Sequence, residues 1–119
     1  MLQYPDVMLA FLRESQRTEP YFSAPEEQVK RDSDYVKLKA FTYYLLDFNE
    51  EIYLVLQDKS ISDQVQGKVW IDFIIKRMRH PLLRELFGQE GEHTYRGKFA
   101  DFIEKNKDEI NKPYDLEVW

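Results

Sequence analysis

The chain has 119 residues, the length of one domain, and its 43% hydrophobic and 15% aromatic content can build a core without metals or disulfide staples. Seventeen basic against 22 acidic residues give a net charge of −5, which argues against a general nucleic-acid binder. The absence of cysteine excludes disulfides, thiolate metal sites and a cysteine nucleophile, and four glycines with five prolines are too few for the turns of a β-sandwich.

In chain order, the first predicted helix runs from about Pro5 to Arg17. Pro5 suits a first turn, Asp6 favours the positive helix end, and Met8, Leu9, Phe11 and Leu12 form an apolar stripe. The opening has no basic region and no small-residue cleavage site, so it reads poorly as a signal peptide. Two prolines break the next stretch, and Tyr21 and Phe22 between them are expected to plug the core from a loop. Ser23 with Glu26 has capping-box spacing, so a second helix begins there or at Ser33 or Asp34 and continues to about Gln57. Ser60 or Ser62 caps a third helix ending near Arg79, where His80-Pro81 interrupts it, because a residue before proline resists the α region. Pro81 opens a short helix that is expected to stop at Gly88, with a glycine turn after it. A last helix from about Thr94 to Asn106 places Tyr95, Phe99, Phe102 and Ile103 on one side. No strand, internal repeat or bilayer-length apolar run is present. The reading is an all-α, compact antiparallel bundle of about five helices with one long central helix. It forms a single helical domain over 1–119, with 1–22 as N-terminal helix and loop and 107–119 as C-terminal tail.

The central segment, FTYYLLDFNEEIYLVL, carries the functional question. At roughly 100° per residue, Leu38, Phe41, Tyr44, Leu45, Phe48, Ile52, Val55 and Leu56 fall on one broad face. Tyr43, Leu46 and Leu54 fall on the far side. Either neighbours pack on both sides, or Tyr43, Leu46 and Leu54 form a candidate interaction surface for a protein partner or a second copy. On the third helix Trp70, Phe73 and Ile74 cluster, with Arg77 projecting into their midst. Arg77 with Asp47 is the candidate buried ion pair, with Glu50 or Glu51 as alternatives and a solvent-reaching Arg77 over Trp70 as the rival.

No constellation points to catalysis, a cofactor or a metal. Glu90 and His93 have a Glu-x-x-His spacing that occurs once and in an expected turn, whereas dimetal bundles use it twice on rigid helices. His80 reads as a helix-end residue whose charge suits the C-terminal dipole. Asp47, Glu50 and Glu51 lack a neighbouring nucleophile or phosphate loop, and no small-molecule substrate is indicated. Lys76, Arg79 and Arg84 make up the candidate patch for an anionic partner, either an acidic protein or a membrane surface.

Several of these residues also carry a likeness. Pro20-Tyr21-Phe22, Leu46-Asp47-Phe48, Trp70, Pro81-Leu82-Leu83-Arg84 and the Tyr95, Phe99, Phe102 series resemble an uncharacterised family of bacterial all-helical domains, across most of Tyr21 to Ile103. Members often carry this domain after transmembrane helices. The resemblance therefore implies a cytoplasmic location, at the inner face of a membrane, and draws Leu2, Val7, Met8 and Phe11 toward a membrane-proximal surface or another copy. It implies no activity. The expected function is a non-catalytic protein-interaction or assembly module, with a cytoplasmic accessory or sensor domain at the inner membrane surface as the alternative.

Overall fold

The computed structural model describes residues 4–22, 33–57, 65–94 and 97–114. Among them are six helices: α1 (Tyr4–Arg13), α2 (Ser33–Val55), α3 (Val65–Met78), α4 (Pro81–Thr94), α5 (Gly97–Lys105) and the single turn α6 (Lys107–Ile110). The described residues include no strand, and the fold is all-α. The capping positions Ser23, Glu26, Ser60 and Ser62, and Tyr95 of the last helix, lie outside the described residues.

Helix α2, at 23 residues, is the centre of the molecule. Helices α1, α3, α4 and α5 all pack against it. Its inner seam is Leu38, Thr42, Leu45, Asn49 and Leu56, flanked by the buried Phe41 and Leu46. Opposite this seam lie Phe11 from α1, Ile74 and Met78 from α3, Leu82, Leu83 and Leu86 from α4, and Phe99 and Ile103 from α5, all buried. Two seam positions are polar and find partners inside the bundle. Thr42 Oγ1 donates to the Leu38 carbonyl one turn back at 2.8 Å, and Asn49 Nδ2 contacts Met78 Sδ at 3.8 Å.

Tyr21 and Phe22 plug the core as expected, both buried. Tyr35 stacks on Tyr21 with 5.9 Å between ring centroids, and its hydroxyl donates to the Phe22 carbonyl at 2.9 Å. The Tyr21 amide donates to Glu85 of α4 at 2.7 Å. Arg17 holds the turn before them, donating to the carbonyls of Glu19 and Pro20 at 2.8 and 3.2 Å. Val7 and Met8 pack on the core and Phe11 is fully buried, so these three are not a membrane-proximal face.

Two boundaries differ from the sequence reading. Helix α4 does not stop at Gly88 but runs through it to Thr94. No described residue has positive φ, so Gly88 is not serving as a left-handed terminator. The buried Leu82, Leu83 and Leu86 anchor α4 on the core, and the packing outweighs the roughly 1 kcal/mol that a helical glycine costs relative to alanine. The segment 107–114 is not a loose tail either. Ile110 and Tyr114 are buried, and Arg79 at the end of α3 donates from Nε to the Glu109 carbonyl at 2.9 Å.

His80 joins three parts of the chain. Pro81 forces the break between α3 and α4, and His80 occupies it, fully buried. Its Nε2 donates to the Phe11 carbonyl at 2.8 Å, its Nδ1 accepts from the Leu82 amide at 3.1 Å, and its ring stacks on Phe11 at 3.7 Å. Tyr114 meets the ring edge to face at 4.9 Å. With one ring nitrogen donating and the other accepting, the imidazole is neutral. The dipole-facing charge expected from sequence is therefore absent. Burial, against the partial opposing effect of the Phe11 bond, and with Arg84 nearby, lowers the pKa to about 4.

Two measurements follow from this packing. The unfolded chain protonates His80 near its ordinary value while the folded chain resists, so stability is full above about pH 6.5 and falls as the pH drops toward 4, by on the order of 3 kcal/mol from this residue; denaturant titrations across that range check it. Gly88→Ala meets nothing within 4 Å of the added methyl and should raise stability by about 0.5–1 kcal/mol, read as a shift of the denaturation midpoint at constant slope.

Candidate interaction surface

The α-helical period that buries Leu38, Leu45 and Leu56 turns a second stripe outward. Val36 is 71% exposed, Tyr44 60%, Phe48 43% and Val55 58%, and the small Ala40 lies exposed between the first two. Steps of four residues keep Val36, Ala40, Tyr44 and Phe48 adjacent on the surface. Tyr44 and Phe48 stack with their planes 10° apart at 6.4 Å. Val69 and Trp70 of α3 extend the same apolar character beside the C-terminal half of α2, both exposed. Between the two helices lies an apolar groove of about 330 Å³ lined by Glu51, Ile52, Val55, Leu56 and Trp70. Glu51 is its single ionisable lining residue. The groove offers dispersion contact and one carboxylate, with no nucleophile–base pair among its lining residues.

This arrangement corrects the expected face. Leu46 is fully buried and belongs to the core. Tyr43 is half-buried and packs against that core, and Leu54 is half-buried. Conversely Tyr44, Phe48 and Val55, expected inside, point outward. On α3 the inward residues are Ile74 and Met78, not Trp70.

The candidate ion pair does not form between Arg77 and Asp47. Asp47 is exposed, and no ion pair joins it to Arg77. Helix α2 presents Asp47 on the same outer side as Tyr44, away from α3. Arg77 is half-buried, its guanidinium 5.8 Å from the centre of the Phe73 ring rather than over Trp70, and desolvation lowers its pKa.

The expected basic patch is not an open surface. Lys76 Nζ meets Asp72 at 2.8 Å, one helical turn back. Arg79 is mostly covered and faces the Glu109 carboxylate at 3.6 Å. Arg84 is half-buried at the junction of two shallow concavities, one toward α5–α6 and one toward the Arg17 turn, and burial lowers its pKa. Glu90 and His93 lie in α4 rather than a turn, with their side chains outside the described residues. Among the described residues, no group of three or more His, Asp or Glu side chains is placed to hold a metal.

The two faces of α2 separate by mutation. Leu46→Ala should cost about 2–5 kcal/mol, as core truncations do, whereas Tyr44→Ala should cost under about 1 kcal/mol; equilibrium unfolding of both variants measures the contrast.

No family model matches this chain, and no curated protein or solved structure is significantly similar to it.

Proposed function

We propose that this chain is a non-catalytic helical interaction module that docks on another protein surface through the outward face of α2 and the adjoining edge of α3. The observation that carries the reading is the exposure of Val36, Tyr44, Phe48 and Val55 along one helix, continued by Val69 and Trp70. Scattered exposed apolar residues are ordinary, but a continuous stripe of this kind on a small domain marks a surface that is covered in use. Tyrosine and tryptophan suit such a face because each offers a large rigid apolar body with one polar tip.

The alternative, an accessory domain at the inner membrane surface, draws on the bacterial helical domains that the chain resembles. It would use Lys76, Arg79 and Arg84 on anionic lipid, and the contacts of Lys76 with Asp72 and of Arg79 with Glu109 weaken its support. No helix among the described residues is long and apolar enough to cross a membrane.

The docking reading is tested with Tyr44→Asp combined with Val55→Asp. Both sites are exposed, so the variant should unfold within about 1 kcal/mol of the wild type. In light scattering after gel filtration, run on the pure protein and in extract of the native host, the wild type should elute in a larger species and the variant as a monomer. Identical elution of the two proteins in both settings would overturn the reading, as would loss of folding in the variant.

A further inference from the structure

We infer that the occupant of this face is a second copy of the chain, its α2 antiparallel to the first about a two-fold axis at Tyr44. The inference rests on the reading of the α2 face as a docking surface and names its partner. The outer seam of α2 is Lys37, Ala40, Tyr44, Phe48 and Glu51. Its steps are three, four, four and three residues, the same in either direction from Tyr44. An antiparallel two-fold pairing sets the residue n places before Tyr44 against the residue n places after it on the other copy. The five seam residues pair in complementary fashion. Tyr44 meets its own counterpart at the axis. The small Ala40 leaves room for the partner's Phe48. Lys37, seven residues before the axis, comes opposite the partner's Glu51, seven residues after it, and the symmetry makes this ion pair twice.

The charge pattern selects the orientation. Lys37, half-buried, lies in the N-terminal half of the seam, and the exposed Asp47 and Glu51 lie in the C-terminal half. A parallel pairing would set Lys37 on Lys37 and Glu51 on Glu51, which costs rather than gains. The length also suffices: Val36 to Val55 spans roughly 30 Å of helix at 1.5 Å per residue. Val69 and Trp70 widen the buried strip beyond the width of α2 alone. The chain is acidic overall, and two acidic copies meet with least repulsion along the face where each carries both signs.

Sedimentation equilibrium of the purified chain over a wide concentration range tests this. The wild type should show a reversible monomer–dimer equilibrium. Lys37→Glu alone and Glu51→Lys alone should each weaken the dimer roughly tenfold, because each sets like charges opposite twice, and the double variant should restore it. Added salt should compress these differences. The chain has no cysteine, so Tyr44→Cys provides a unique thiol that should form a disulfide-linked dimer on mild oxidation. A wild type that stays monomeric alone, yet joins a larger species in host extract that Tyr44→Asp with Val55→Asp abolishes, overturns the dimer and keeps the docking face. A dimer indifferent to both charge reversals, or one that Tyr44→Cys does not link, overturns the antiparallel register.

Discussion

The structure is governed by one constraint: α2 carries large apolar side chains around most of its circumference, and its four neighbours cover only part of it. Phe11, Ile74, Met78, Leu82, Leu86 and Phe99 close over the seam from Leu38 to Leu56. The opposite side keeps Val36, Tyr44, Phe48 and Val55 in water. A helix in this position is the core of its own domain and still leaves one apolar side uncovered. Its inner side supplies the stability that makes the cost of an exposed outer side tolerable.

The interior is not uniformly apolar, and its polar members share a strategy. Thr42 returns its hydroxyl proton to the preceding turn, and Asn49 spends one donor on a thioether. His80 satisfies both ring nitrogens with backbone groups. None of these three depends on a charged partner, so each avoids the heavy desolvation that a buried charge would bring. Other contacts, at the surface, are charged. Arg79 against Glu109 fastens the end of the chain to α3, and Lys107 with Glu104 and Lys112 with Glu109 are solvated local pairs that contribute little.

Much of the fold could be read from the residues alone. The helical period is strong in α1 and α5, Pro81 fixed a break, and the paired prolines around Tyr21 and Phe22 marked an inward-facing loop. The rotation of α2 could not be read, and the reason is specific. Its inner seam includes Thr42 and Asn49, whereas its outer stripe includes Tyr44, Phe48 and Val55. Ranking faces by hydrophobicity therefore favours the wrong side, and only the neighbours' positions decide. Leu46 was misplaced for the same reason. Trp70 likewise drew α3 toward the core, where the smaller Ile74 and the flexible Met78 are the residues that fit.

The Phe11–His80 contact ties the first helix to a corner 69 residues away. Its hydrogen bond and ring stack exist only while α1 is seated. When α1 lifts, water reaches the imidazole and its proton affinity returns toward that of a free side chain. Each such opening can then be captured by a proton, which the seated state rejects. Detachment of α1 is thereby coupled to acidity more steeply than fraying of a helix end held by aliphatic contacts alone.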